Sequence, residues 1–352
     1  MHIDILTPQE YNSHIQIKAN ICQPSIPGTR RQTLAEKTEE CTMKKLITVA
    51  LVLMMIAMTA CASATTVGIC QLVQHEALDA ATQGFMDALS EKLPDVKFDL
   101  QNASGDSATC AMIANTFVSN GVDLILANAT PALQAAVAAT GDIPILGTSI
   151  TEYGVALDLD DFAGVTGFNV SGTSDLAPLD QQAMMVKELF PDAKKVGLLF
   201  CSAEANSIYQ VKVVKAELEA MGFAAEEYAF TDSNDVASVS ALAAAECDVI
   251  YIPTDNTAAA YTETIANEVI PAKVPVVAGE EGICRGCGVA TLSISYYDIG
   301  FATGLMAHEI LANGADVATM PIQYAPQFVK KFNAANAQAL GVSIPEDYVT
   351  IE

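Results

Sequence analysis

From Thr65 onward one unit keeps returning: a short apolar run, a polar turn, then a segment with helical spacing. The first run is Val67–Gln71, and Gln74, His75 and Glu76 form its turn. Leu78, Ala81, Gly84, Phe85 and Leu89 then fall at i, i+3/i+4 spacing on one helix face. The run Val122–Ala127 is almost wholly apolar, the pattern of a strand covered on both faces in a parallel sheet. Two series of such units, similar in size and joined near residues 170–175, predict an α/β chain. The expected architecture is two Rossmann-like lobes with parallel sheets joined by a hinge. Sheets of this kind take ligands at the carboxyl ends of their strands, where helix N-termini present free N–H groups. The polar turns of both series come to that edge, so a cleft between the lobes is the expected site.

The expected lobes are residues 61–172 plus 295–317 and residues 173–294 plus 318–352. A short strand is read at Val165–Phe168, a polar turn at Ser171–Asp175, and the chain crosses back between lobes near Pro321–Ala325. Ahead of the repeats, Met43-Lys44-Lys45, the apolar run Leu46–Ala60 and Cys61 followed by small residues have the layout of a signal peptide. Residues 43–60 are read as that peptide, Met43 as the true start, and residues 1–42 as a non-native upstream extension. The tip Met58-Thr59-Ala60-Cys61 resembles a bacterial lipoprotein cleavage box, which makes Cys61 the lipidated first residue of an extracytoplasmic, membrane-anchored protein.

Charge narrows the partners. Residues 1–60 hold six of the 17 basic and five of the 42 acidic residues, leaving 11 and 37, a formal charge of −26. Such a chain repels a phosphate backbone, which excludes nucleic acid. Arg285 is the one arginine after residue 60, so any further grip on an anion falls to backbone N–H groups, hydroxyls or a lysine. Cys284-Arg285-Gly286-Cys287 is the one CxxC, with no second Cys or His pair at zinc spacing, and is read as preceding a strand. No dinucleotide or phosphate-loop fingerprint is present, and no metal, cofactor or catalytic constellation is expected.

Several short blocks carry a family resemblance: Gln71-Leu-Val-Gln-His75, Asn102 to Asp106, and Asp123-Leu-Ile-Leu-Ala-Asn-Ala-Thr130-Pro131. Ser202-Ala-Glu204-Ala-Asn206-Ser207, Thr254-Asp255-Asn256-Thr257 and Tyr296-Tyr297 followed by Gly300 continue it. Across about residues 65–325 the chain resembles the bacterial ABC-transporter substrate-binding proteins of the tryptophan/tyrosine-binding type. That resemblance implies the type I periplasmic-binding-protein fold, an ABC permease as partner, and an aromatic amino acid as ligand.

A free amino acid needs an anion grip, a cation grip and a side-chain pocket. Thr130, Ser149, Thr151 and Ser207 are placed to serve the carboxylate, and Asp255 and Glu204 the ammonium. Gln71, His75, Asn206, Asn256 and Tyr296 complete the expected lining, with Tyr153, Phe168 and Tyr209 as further aromatic candidates. Taken singly, each Ser, Thr, Asp or Asn before a helix is also an ordinary N-cap; the convergence of many is what points to a site. Two other readings stand beside this one: a sugar or nucleoside receptor of the same fold, and a thiol redox protein using Cys284 and Cys287.

Overall fold

The computed structural model describes residues 64–351; the expected extension, the signal segment and Cys61 lie outside them. In chain order the first lobe lays down β1 (Thr66–Gln71), α1 (Glu76–Lys92), β2 (Lys97–Asn102), α2 (Ser107–Asn120), β3 (Leu124–Asn128), α3 (Thr130–Ala139), β4 (Ile145–Ile150), α4 (Tyr153–Ala156) and β5 (Val170–Ser174). The second supplies α5 (Leu179–Leu189), β6 (Lys195–Cys201), α6 (Ala205–Ala220), β7 (Ala224–Phe230), α7 (Val236–Glu246), β8 (Val249–Ile252), α8 (Asn256–Ala260), α9 (Thr262–Val269), β9 (Val276–Ala278), α10 (Glu281–Gly286) and β10 (Ala290–Ser293). The chain then returns to the first lobe with α11 (Tyr296–Asn313) and β11 (Gln323–Tyr324). It ends in the second with β12 (Val329–Phe332), α12 (Ala334–Leu340) and β13 (Val349–Thr350).

The sheets run β11-β5-β4-β3-β1-β2 and β13-β12-β10-β9-β8-β6-β7. Their pairs are parallel except β10 with β12. The central strands β3 and β8 are buried along their whole length, as continuous apolar runs covered by helices on both faces demand. Three stretches cross between the lobes: 175–178, 294–295 and 325–328.

Two expectations about the crossings change. Ser171–Ser174, read as a turn, is the buried strand β5, and Gln323–Tyr324 pairs with Thr173–Ser174. The first lobe therefore extends through 174 and reclaims the chain up to Tyr324, beyond the boundaries expected at 172 and 317. A strand this polar stays buried because its hydroxyls are all engaged: Ser171 Oγ donates to Met320 O (2.9 Å) and Ser174 Oγ to Thr151 O (2.9 Å). Thr173 Oγ1 meets Thr303 Oγ1 at 2.8 Å and Thr148 Oγ1 at 3.2 Å. Val165–Phe168, read as a strand, is irregular, broken by Gly164 and Gly167 at φ +89° and +79°.

Helices α1 and α11 lie against each other backbone to backbone. A Cβ on Gly300 would stand 2.0 Å from Ala81 O, and one on Gly84 2.2 Å from Tyr297 O. Glycine is what permits that approach. The pair matters for function because α1 begins at the cleft and α11 begins at a crossing.

Candidate functional site

Between the lobes lies a narrow space of about 270 Å³, part of it open to solvent. Larger, more open spaces flank it. One of about 1110 Å³ lies on the hinge side, and one of about 1050 Å³ borders Glu204 and Tyr261. Chemistry singles out the smaller space. Six buried side-chain atoms among the described residues have no hydrogen-bond partner, and three of them, Ser149 Oγ, Asp175 Oδ1 and Asn206 Oδ1, belong to residues that line it.

Each is put there by its local backbone. The pairing of β4 with β5 shifts register between Gly147 and Ile150, and Ser149 sits in the irregularity at φ +56°, an arrangement that re-aims a side chain at a strand end. Asp175 is the first residue past β5. Its N–H donates to Ile150 O (3.1 Å), and its Oδ2 accepts from Tyr296 Oη (2.9 Å), leaving Oδ1 free. Burial raises the Asp175 pKa to about 6. Asn206 is in the first turn of α6; its Nδ2 donates to Glu204 Oε2 and to Thr254 O, both at 3.1 Å, which turns Oδ1 away from them.

Two further carboxylates line the cavity. Asp255 caps α8 by accepting from Ala258 N (2.8 Å) and also accepts from Cys201 N (2.7 Å). Burial, then the neighbouring Glu204, raise its pKa to about 7. Glu280 caps α10 through Gly282 N (2.7 Å) and Ile283 N, and burial lifts it to about 7. His75 precedes α1, its side chain making no cap, and its Nε2 meets Asn256 Oδ1 of the opposite lobe at 3.4 Å. Burial lowers the His75 pKa. Arg285 of α10 closes a second interlobe contact, pairing with Glu76 at the start of α1 and with Glu281 (3.1 Å).

Of the residues expected at the site, His75, Ser149, Thr151, Asn206, Asp255, Asn256 and Tyr296 line the cavity, and Gln71, Thr130, Glu204 and Ser207 do not. Gln71 is spent inside the first lobe, donating to Asp79 (2.6 Å) and Val73 O and accepting from Thr82 (2.7 Å). Thr130 is buried at the start of α3, and Ser207 is buried beside Asn206. Glu204 is saturated by the start of α8. Its oxygens accept from Asn256 N (3.1 Å), Asn256 Nδ2 (2.7 Å), Thr257 N (2.9 Å) and Thr257 Oγ1 (2.8 Å), so it positions Asn206 and Asn256 and cannot take an ammonium directly. Of the aromatic candidates, Tyr153 is buried in the first lobe with its hydroxyl on Thr173 O, while Phe168 and Tyr209 pack against the two lobe cores.

Sequence reasoning missed Leu78, Asp175, Thr254, Ala259 and Glu280. Asp175 directly follows β5 and Glu280 stands two residues past β9, the same strand-end signal used for the others, but Asp175 was hidden by reading β5 as a turn. The CxxC precedes strand β10, as expected, with Cys284 inside the short helix α10 and Cys287 directly after it. Both thiols are fully buried, and burial pushes both pKa values up, which opposes the thiolate that redox chemistry needs.

Residues 66–351 match the family model of the ABC transporter substrate binding protein. A tyrosine-binding protein of Clostridioides difficile (strain R20291) is 36% identical over 263 residues, 73% of this chain and 75% of the relative. Among solved structures, the ABC domain in complex with L-Trp from Streptococcus pneumonia superposes with a TM-score of 0.77 at 34% identity, covering 81% of this chain and 97% of that one. The ligand-free, open structure of a substrate-binding protein with adhesive properties from Clostridium difficile gives 0.62 at 36% identity, covering 82% and 99%. At near-equal identity the chain is thus closer in shape to the Trp-bound structure than to the open one, in keeping with the contacts that span the cleft. Structures 13–17% identical, with TM-scores of 0.54 to 0.57, share the fold alone. The architecture is the two-lobed α/β fold of type I periplasmic binding proteins, and the chain belongs to the ABC transporter substrate-binding protein family.

Proposed function

We propose that the chain is the receptor of an ABC importer, capturing an aromatic amino acid, tyrosine or tryptophan, between its lobes and passing it to a permease. The observation that carries this reading is that Ser149, Asp175 and Asn206, which line one interlobe space, each carry a buried polar atom without a partner: Ser149 Oγ, Asp175 Oδ1 and Asn206 Oδ1. Asp175 Oδ1 and Asn206 Oδ1 accept the ammonium; hydrogen bonds to a charged group contribute about 1.5–3 kcal/mol each. The carboxylate lies against Ser149, Thr151 and the first turn of α1, which no side chain caps. A helix N-terminus favours an anion by about 0.3–1 kcal/mol, so this grip is the weaker one. Leu78, Ala259 and Tyr296 offer apolar surface to the ring. The relatives that bind tyrosine and tryptophan support the ligand class.

On this reading closure gives the permease two shapes to distinguish. The protein works on the extracytoplasmic face, anchored by lipid on Cys61. Isothermal titration with L-tyrosine, L-tryptophan, ribose and adenosine tests the ligand: saturable binding of an aromatic amino acid is expected, and binding of the sugar or nucleoside alone refutes the reading. Metabolic labelling with a fatty acid tests the anchor, with label expected on the full chain and lost in Cys61→Ser.

A further inference from the structure

We propose that the ammonium is the obligatory handle of this cavity and the carboxylate a dispensable one, so that the site also takes primary aromatic amines lacking a carboxylate. The inference rests on the aromatic amino-acid reading above and deepens it. Three carboxylates, Asp175, Asp255 and Glu280, each no more than 4% exposed, line the same small space, and no lysine or arginine lines it. Arg285 is engaged by Glu76 and Glu281, and Lys331 by Glu281, away from the cavity.

The unpartnered atoms lean the same way. Asp175 Oδ1 in its ionised form and Asn206 Oδ1 can only accept, and Ser149 Oγ alone can donate. That set asks for a guest rich in donors, and an ammonium brings three N–H groups and the counter-charge Asp175 lacks. A carboxylate brings lone pairs into a space already walled by three carboxylates, where low dielectric strengthens repulsion. A hydroxyl and the partial charge of a helix end are what oppose that repulsion. Removing the carboxylate from the guest therefore removes repulsion along with its hydrogen bonds. Removing the ammonium leaves a buried carboxylate facing an uncharged or anionic guest, the costlier loss.

The test is isothermal titration of the purified chain at pH 8 with whichever of L-tyrosine and L-tryptophan binds. Its matching amine (tyramine or tryptamine) and its matching deaminated acid, 3-(4-hydroxyphenyl)propionate or 3-(indol-3-yl)propionate, are titrated beside it. The amine is expected within about 30-fold of the amino acid, and the acid at least about 100-fold weaker than the amine. An amine weakened by more than that margin, or an acid that approaches the amine, overturns the proposal. Asp175→Asn, which keeps an acceptor for Tyr296, is expected to weaken amino acid and amine alike by at least about 100-fold. Should that variant unfold, the ligand series on the unaltered chain decides alone. Failure of both amino acids to bind refutes the preceding reading; binding of the amino acid without the amine refutes only this one.

Discussion

Asp175 shows how much hangs on one side chain. One of its oxygens is fixed by Tyr296 and the other has no partner, while burial holds its pKa near the physiological range, at about 6. Asp255 and Glu280, each at about 7, titrate beside it. Because these folded-state values lie above those of the unfolded chain, the three groups contribute stability that is full below about pH 4 and is lost as pH rises through 6–7. His75, lowered by burial, has the opposite slope, but only below its ordinary value of 6.5. The ligand-free protein is therefore expected to lose thermal stability between about pH 6.5 and 8, with Glu280→Gln flattening the slope. Affinity for an ammonium should rise over the same interval as the carboxylates ionise. Thermal melts and titrations at matched pH check both signs, and parallel slopes would contradict the assignment. Glu204 offers a second check. Glu204→Gln replaces an acceptor of backbone and side-chain donors with a group half donor, and should cost about 1–3 kcal/mol of stability together with weaker binding.

Among the elements, those with continuous apolar runs or helical spacing were legible from residue types alone: β1, β3 and α1 all stand where the pattern put them. Strand β5 was not. Its Ser-Gly-Thr-Ser composition is that of a turn, and the partners that make burial tolerable, Met320, Thr303 and Thr148, are up to 149 residues away or on another strand. Missing β5 also hid Asp175, since a residue's place at a strand end cannot be seen until the strand is. Glu204 failed for a different reason: its five donors come mostly from α8, and no spacing in the chain announces that. The seam of α1 and α11 yields a prediction at this scale. Gly300→Ala forces a methyl against Ala81 O and should destabilise the first lobe by at least about 1–3 kcal/mol, read as a lower midpoint in denaturant. A neutral result would mean the two helices can part without loss.

Across the whole molecule, the contacts that span the cleft among the described residues include His75 to Asn256, Arg285 to Glu76 and the packing of α4 against α6. The ion pair is about half exposed, and exposed pairs contribute about 0.2–1 kcal/mol, so it trims the opening equilibrium without dictating it. Arg285→Gln or Glu76→Gln should raise the ligand dissociation rate by no more than about fivefold, and the difference from the unaltered chain should shrink in high salt. Stopped-flow release measurements across ionic strength would expose an error, because a large, salt-independent change would place the contact elsewhere than on the cleft rim.

Asp175 opens the first of the three interlobe stretches, and Tyr296, which holds it, follows the second. Pivot and pocket are thus made of the same few residues. Anyone retuning this scaffold for another guest must alter its swing at the same stroke. Sensors built from it would do better to carry their reporters on the outlying strands β2 and β7, far from the joint.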